Sequence, residues 1–191
     1  MENIEQLIKK AKNGNGLAAY ILGRSYYSCE NGVERDFKKS FEYYKYGFKS
    51  LKDPRCKYGY AMFFYDDGES ESEGVVKKNN KYANRLFASA YDKLVRLAGS
   101  GDKYACFILG AYYNYGLGET EQNFVAALNL IKKAASYGHA GALYDLGKFY
   151  ATGHGVKQNP ITALSYFKLA DEMGSNRAKA EIENLNKLIR K

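Results

Sequence analysis

Apolar residues recur along this chain at spacings of three and four, which is the pattern of amphipathic helices with one buried face. A motif of the form A-x-x-x-L-G-x-x-Y is prominent within this pattern, because its Ala, Leu and Tyr fall on a single helical face. Its copies are AAYILGRSY at 18–26, ACFILGAYY at 105–113 and ALYDLGKFY at 142–150, with a degenerate copy, CKYGYAMFF, at 56–64. The copies predict an internal repeat.

The repeat has a regular register. Its copies start at Ala18, Cys56, Ala105, Ala142 and Ala178, which gives steps of 38, 49, 37 and 36 residues. In four of the five copies a glycine precedes the start by four residues, at Gly14, Gly101, Gly138 and Gly174. Each step is long enough for two helices, so the sequence predicts tandem helix pairs. In each pair helix A carries the motif, and helix B follows a glycine-bearing loop.

Both helices of a pair carry signals of their ends and contacts. The motif glycine costs a helix about 1 kcal/mol relative to Ala, so its recurrence predicts a close helix contact where no side chain fits. In the last full pair, Asn159 is expected to cap helix B, with Pro160 at its first position. The apolar stripe of that helix is Ala163, Phe167 and Ala170.

One repeat domain is expected to occupy residues 1–191. Its predicted parts are an N-terminal capping helix at 1–17, repeat one at 18–55, repeat two at 56–104, repeat three at 105–141, repeat four at 142–177 and a C-terminal capping helix at 178–191. Half-repeats at both ends would cover the core faces of the terminal pairs. Repeat two is irregular, because its loop holds the acidic insertion ESESEG and its helix B, from about Asn80 to Ala98, is longer than the others.

The charge of the chain is positive and unevenly distributed. The formal net charge is +8, and 19 tyrosines stand against no tryptophan. There are 12 basic and 7 acidic residues in 1–60, 7 and 8 in 61–120, and 10 and 6 in 121–191. Two basic ends would favour an acidic partner and speed its association. The alternative is a solvated basic surface with no specific partner.

Several features indicate the compartment. The opening residues, MENIEQLIKKAKNGNG, hold no continuous apolar run and are not typical of a secretory signal. No stretch reaches the roughly 18 apolar residues of a membrane helix. Cys29, Cys56 and Cys106 are odd in number and lack metal-ligand or redox spacing, so we expect reduced thiols. We therefore expect a cytoplasmic protein without membrane contact, and the charged C-terminal end favours a monomer.

Few residues suggest catalysis. His139 and His154 fall in predicted loops without a ligand partner at metal spacing, and we expect both to be exposed. Ser165 and Lys168 match S-x-x-K, but no accompanying motif supports a catalytic role, and Ser165 is expected to face solvent. The sequence therefore predicts no enzyme, metal or cofactor. Nucleic-acid binding is disfavoured, because the basic residues are dispersed on either side of an acidic centre.

The repeat resembles the Sel-1-like repeat, a relative of the tetratricopeptide repeat, over roughly residues 14–186. The closest agreement is in ALYDLGKFYATGHGV at 142–156 and in KKAASYG at 132–138. The departures from the family pattern are Tyr60-Ala61 in place of Leu-Gly, Asn159 in place of Asp, and Ser40 where Ala is usual.

The resemblance implies an all-α, right-handed superhelical solenoid of antiparallel helix pairs, with about four repeats and capping half-repeats. Proteins of this type act as scaffolds or adaptors and present a concave groove to a protein or peptide. Some occur among bacterial secretion effectors and immunity proteins. The implied function is non-catalytic protein binding. The alternative is an immunity-type inhibitor of one toxin or effector, with the long helix B and the ESESEG loop of repeat two as its specificity element. The alternative for that loop is an insertion without a function. A secreted, cysteine-rich branch is excluded, because Ala98 and Gly99 stand where Cys106 would need its partner.

The resemblance also implies which residues line the groove, namely the helix-A positions two before, two after and five after the motif leucine. The expected groove residues are Tyr20, Arg24 and Tyr27 in repeat one, Tyr58, Met62 and Tyr65 in repeat two, Phe107 and Asn114 in repeat three, and Tyr144 and Lys148 in repeat four. This ladder of aromatic rings with a cation near each end would suit an acidic peptide or helix. The alternative is that the rings serve packing between repeats.

Overall fold

The computed structural model of the chain describes residues 3–66, 74–175 and 177–189. All regular secondary structure of these residues is helical. The helices are α1 (Ile4–Lys12), α2 (Gly16–Ser28), α3 (Phe37–Lys49), α4 (Pro54–Phe64), α5 (Asn80–Gly99), α6 (Lys103–Tyr115), α7 (Phe124–Ser136), α8 (Ala140–Thr152), α9 (Pro160–Glu172) and α10 (Ala178–Ile189). The predicted all-α fold of helix pairs is confirmed. Of the specificity element predicted in repeat two, the long helix B is α5, whereas Glu69–Glu73 of the ESESEG loop lie outside the described residues.

The chain divides into two compact units. The N-terminal unit is Met1–Leu94 and holds α1 to α4 with the first part of α5. The C-terminal unit is Val95–Lys191 and holds the end of α5 with α6 to α10. Helix α5 has 20 residues, whereas the other B helices, α3, α7 and α9, have 13 each. The longer helix B predicted for repeat two is therefore present.

Side-chain caps determine where most helices begin. The caps Asn15, Asp36, Asp102, Asn123 and Asn159 each accept a hydrogen bond from the backbone N–H three residues later. These bonds satisfy backbone donors that the first helical turn leaves without a partner. The predicted cap at Asn159 is confirmed, and Pro160 occupies the first helical position.

The turns from helix B to the next helix A require a left-handed backbone. Gly14, Gly101, Gly138 and Gly174 have φ angles of 90, 89, 74 and 87°. Before the repeat start at Cys56, Lys52 takes the place of this glycine, and its φ of 58° lies in the same region. Glycine adopts this conformation without a Cβ clash, which explains why it recurs at this register.

Helices A and B approach most closely at the motif glycine. An added Cβ would lie 2.7 Å from the Tyr44 ring at Gly23, 2.5 Å from Ile131 at Gly110 and 2.5 Å from the Phe167 ring at Gly147. In all three pairs the large side chain stands eight residues after the cap of helix B. The predicted close helix contact is therefore confirmed, and its partner is a large apolar side chain.

Helix α10 completes the core of the C-terminal unit. The predicted stripe of α9, Ala163, Phe167 and Ala170, is buried together with Tyr144 and Ala178. Half-buried side chains of α10, Ile182 and Leu185, pack against this cluster. The face of α9 that the last pair would otherwise expose is covered in this way.

Candidate functional site

One face of α4 presents three of the predicted groove residues, and we call this set the α4 stripe. Tyr58, Met62 and Tyr65 are separated by four and three residues, so they lie along one side of the helix and its C-terminal cap. All three are half-buried. The rings of Tyr58 and Tyr65 each lie 5.8 Å from the ring of Phe87 on α5, measured between centroids. Since Phe87 is buried, both tyrosines rest on a fixed support.

Tyr27 is a further half-buried ring of the N-terminal unit. It meets Phe37 of α3 and Phe63 of α4 edge to face, with centroids 5.2 and 6.0 Å apart. Edge-to-face contacts of this kind add to the burial energy and hold a ring in one orientation. The contact with Phe63 joins α2 to the helix that carries the α4 stripe.

Two predicted groove residues of α2 are engaged inside the N-terminal unit. Tyr20 is 2% exposed and packs on Tyr44 at 5.9 Å, so its predicted place on an open groove is corrected to a core position. The Arg24 guanidinium pairs with Glu30 in a half-buried ion pair, which compensates its charge within the unit. Burial raises the pKa of Tyr44 well above its ordinary value, with Tyr20 adding to the rise and Arg24 opposing it.

In the C-terminal unit, Phe107 stacks on His139 with centroids 4.3 Å apart and ring planes 19° apart. The expected exposure of His139 is therefore wrong, and its side chain is 1% exposed. Its Nδ1 accepts the backbone N–H of Ala142 at 3.1 Å, so the imidazole caps α8 while its ring fills the space beside Phe107. His154 is exposed, as expected, and stacks on Phe124.

Tyr144 on α8 is 8% exposed, so its predicted open position is also corrected. Its hydroxyl donates to Glu181 Oε1 at 3.2 Å, and the Arg177 guanidinium carbon lies 4.4 Å from the ring centroid. Burial raises the pKa of Tyr144 to about 12, with Arg177 opposing the rise and Glu181 adding to it. Lys148 is exposed and Asn114 is half-buried.

The structure thus brings three groove residues together on α4, while Tyr20 and Tyr144 belong to cores. A continuous groove through both units stays a prediction. Sequence reasoning missed Phe87, which supports the α4 stripe. Phe87 stands eight residues after Asn79, the register at which the other B helices place Tyr44, Ile131 and Phe167. That shared register is the signal that could have found it.

The described residues offer little to metal or nucleophilic chemistry. Within residues 3–66, 74–175 and 177–189, no three His, Cys, Asp or Glu side chains are grouped so as to hold a metal ion. Ser165 is exposed, as predicted, and its hydroxyl donates to the carbonyl of Ile161 at 3.1 Å. Serine commonly makes this bond in a helix, and it does not activate the oxygen. Cys56 and Cys106 are buried free thiols.

The described part of the chain holds no helix with both the length and the apolar character needed to cross a membrane.

Helix pairs repeated in register, with a glycine at the close approach in three of them, define an α-helical tandem-repeat protein. The Sel1 repeat matches residues 16–47, 54–93, 103–139 and 140–175. The chain therefore belongs to the Sel1 repeat family, as its sequence pattern predicts. Sel1 repeats indicate a protein-interaction module.

Three known proteins illustrate the similarity. Chitin synthase regulatory factor 2 of Schizosaccharomyces pombe is 29% identical over 140 residues, which is 70% of this chain and 27% of that protein. The chain thus spans about a quarter of that relative. A protective antigen of uropathogenic Escherichia coli displaying an SLR fold has 21% identity and a TM-score of 0.55, over 96% of this chain and 36% of that one. A Sel1 repeat protein from Oxalobacter formigenes has 23% identity and a TM-score of 0.51, over 90% and 62%. These two structures share the fold of this chain.

Proposed function

We propose that the protein is a non-catalytic interaction module that binds a partner protein through the α4 stripe, Tyr58, Met62 and Tyr65. The observation that carries this proposal is the pair of half-buried tyrosines resting on the buried Phe87 at 5.8 Å each. Supported rings lose little conformational freedom when a partner covers them, so their contact area converts efficiently into affinity.

The chemistry of the stripe suits a protein surface. Tyr and Met are enriched at protein interfaces, because each offers a large apolar area and Tyr adds a polar hydroxyl. Met62 lies between the two rings and is flexible enough to fit an irregular apolar surface. A partner that inserts one or two apolar side chains along α4, with hydrogen-bond acceptors near the hydroxyls, would match this arrangement.

The similarity to Chitin synthase regulatory factor 2 supports a regulatory role, in which the partner performs the reaction and this chain binds it. The chain spans about a quarter of that relative's length. The preference for an acidic partner, proposed from the net charge of +8, does not depend on Arg24, because Arg24 is paired with Glu30.

Partner capture tests the proposal. The purified protein would be immobilised and incubated with lysate of its own cells at about 0.3 M salt, where the Debye length is under ~10 Å and non-specific charge attraction is weak. The captured protein would be identified, purified, and titrated calorimetrically against wild type and a Tyr58→Ala/Tyr65→Ala variant. A Leu169→Ala/Met173→Ala variant is the matched control, since both side chains are exposed apolar groups, one on α9 and the other at its C-terminal cap.

We expect the α4 variant to bind roughly 1,000-fold more weakly, because buried aromatic anchors are worth about 2 kcal/mol each and the variant removes two. The control should bind within about twofold of wild type, and circular dichroism should show all three folded. Equal affinity of wild type and the α4 variant would place the interface elsewhere. Retention of nucleic acid alone, lost steeply as salt rises, would indicate that the basic surface is the functional one.

A further inference from the structure

A cavity of the N-terminal unit lies apart from the α4 stripe. It has a volume of about 610 Å³ and is formed by α1, α2 and α3. Helix α1 contributes Ile8, Ala11 and Lys12, and α2 contributes Tyr26. The volume falls within the range of about 300–1,000 Å³ that is typical of binding pockets.

Helix α3 forms the other wall with two kinds of side chain. Tyr43 and Tyr46 are aromatic, whereas Lys38, Lys39 and Glu42 carry charge. Lys38, Lys39 and Glu42 are exposed. The wall is therefore apolar where the two tyrosines line it and charged where these three side chains meet solvent.

The rings of the cavity are held in place. Tyr26 and Tyr43 stack with centroids 5.8 Å apart and ring planes 5° apart. The Tyr46 hydroxyl donates to the backbone carbonyl of Ala11 at 3.3 Å, which ties α3 to α1 across one side of the cavity. Tyr46 is nevertheless among the exposed large apolar residues of the chain. A ligand therefore meets a prearranged aromatic surface.

The C-terminal unit contains the same tyrosine stack. The rings of Tyr150 and Tyr166 stack with their centroids 5.5 Å apart. In the repeat, Tyr150 is equivalent to Tyr26, and Tyr166 is equivalent to Tyr43. The stack alone is thus a packing feature of the repeat. What distinguishes the N-terminal unit is the side chains beside the stack, because the repeat equivalents of Ile8, Lys12, Lys38 and Lys39 are Lys132, Ser136, Ile161 and Thr162.

The charge around the cavity is mainly positive. Lys12, Lys38 and Lys39 line it together with one carboxylate, Glu42. The Glu42 carboxylate is itself 3.3 Å from the Lys45 ammonium, and the Lys39 ammonium is 3.4 Å from the Asp36 carboxylate, so one charge of each sign is partly balanced from outside the cavity. Lys12 and Lys38 give the lining its positive excess. Cations on both the α1 and α3 walls would attract carboxylates placed on either side of an inserted apolar group.

We propose that this cavity is a docking site for an acidic amphipathic helix of a partner protein. One or two large apolar side chains of the helix enter between Ile8 and the stacked tyrosines, and its Asp or Glu residues face Lys12 and Lys38. This mode of recognition is the insertion of a helix into a groove, with apolar anchors for affinity and charge for orientation. The site is independent of the α4 stripe and does not rest on the proposed function.

Two synthetic peptides test the proposal. Both are fluorescein-labelled, span about four helical turns, and carry Leu or Phe at positions i, i+3, i+4 and i+7. One has Glu at the remaining positions and the other has Lys. Binding to the full chain is measured by fluorescence anisotropy for wild type, a Lys12→Glu/Lys38→Glu variant and an Ile8→Ala variant. A Lys9→Glu/Lys132→Glu variant is the control, since both lysines are exposed and lie outside the cavity.

We expect the acidic peptide to bind wild type and the control with similar affinity, and to bind each cavity variant at least ~10-fold more weakly, a change of about 1.4 kcal/mol. Circular dichroism should show every variant folded. The Tyr58→Ala/Tyr65→Ala variant should bind the peptide like wild type, which separates this site from the α4 stripe. Equal loss in the control and the cavity variants would overturn the proposal, as would failure of the acidic peptide to bind more tightly than the basic one.

Discussion

Ser40 on α3 is the residue at which this chain departs most clearly from its own repeat. It stands four residues after the cap Asp36, and the same position of α7 and α9 holds Ala127 and Ala163. All three side chains are fully buried. Among the described residues, none is hydrogen-bonded to the Ser40 hydroxyl. A buried hydroxyl without a partner is destabilising, and an alanine here would remove that cost.

We predict that Ser40→Ala stabilises the protein by about 1 kcal/mol, because it removes an unsatisfied buried hydroxyl and slightly raises helix propensity. Urea unfolding followed by circular dichroism measures the change. The reciprocal substitutions Ala127→Ser and Ala163→Ser should each destabilise by a similar amount. A Ser40→Ala variant no more stable than wild type would mean that the hydroxyl has a partner in solution.

Lys52 illustrates a second residue-scale point. Its place in the repeat belongs to glycine elsewhere, yet its φ is 58°. The turn between helices α3 and α4 therefore keeps its left-handed form even where the residue disfavours it. Packing of the two helices outweighs the cost of about 1–2 kcal/mol that a left-handed conformation imposes on a residue with a Cβ.

At the scale of helices, the contact between A and B within a repeat depends on the absence of one methyl group. In the last full repeat, Gly147 of α8 faces the ring of Phe167 of α9, which is nearly fully buried. An added Cβ would lie 2.5 Å from that ring, so either the ring or the helix must move. Glycine lowers the helix propensity of α8, but it lets the two helices pack more closely. The free energy gained by this packing exceeds the cost in helix propensity.

We predict that Gly147→Ala destabilises the protein by about 1–3 kcal/mol, because the cost of overpacking exceeds the gain in helix propensity. Gly99→Ala is the matched control, since Gly99 ends α5 and has no atom within 4 Å of an added Cβ. The control should be neutral or up to about 1 kcal/mol more stable. Chemical unfolding measures the change in the free energy of unfolding for both variants. Equal changes at the two glycines would contradict a packing role for Gly147.

His139 shows how one side chain can serve two helices. Its Nδ1 caps α8, and its ring stacks on Phe107 of α6. Asparagine or aspartate performs the capping role at the starts of α2, α4 and α6, at Asn15, Asp53 and Asp102. Those side chains supply an oxygen for the cap without a ring, so the imidazole links helix capping to packing between repeats.

At the scale of the whole molecule, tyrosine burial makes the free energy of unfolding depend on pH in the alkaline range. Burial raises the pKa of Tyr43 and Tyr44, and raises the pKa of Tyr60 and Tyr144 to about 12. A raised folded-state pKa means that folding favours the neutral phenol. The stability that this preference contributes is complete below the unfolded pKa of about 10 and is lost as pH rises through the folded value.

We predict that the free energy of unfolding falls between pH 10 and about 12, more steeply in wild type than in Tyr144→Phe, which lacks one of the raised phenols. The difference between the two should reach about 1 kcal/mol over this window, after allowance for solvent screening of a partly buried group. Urea unfolding at several pH values measures both slopes. The remaining tyrosines and the lysines titrate in both proteins, so parallel slopes would contradict the assignment to Tyr144.

The repeat register, the helix pairs, the glycine contacts and the Asn159 cap all follow from the sequence of this protein. Each depends on spacing within one or two neighbouring helices, and spacing alone decides which side chains share a helical face. The Sel1 family could be recognised for the same reason, because its motif consists of these short-range relations.

Tertiary structure alone decided which of the predicted groove residues are open. Tyr20, Tyr58 and Tyr144 occupy the same repeat position. Tyr20 is packed on Tyr44 and Tyr144 lies beneath Arg177, whereas Tyr58 is only half-buried beside Phe87. The cavity between α1 and α3 was equally absent from the sequence analysis. The physical reason is that exposure depends on what packs over a residue, and those neighbours come from other helices that a local pattern does not specify.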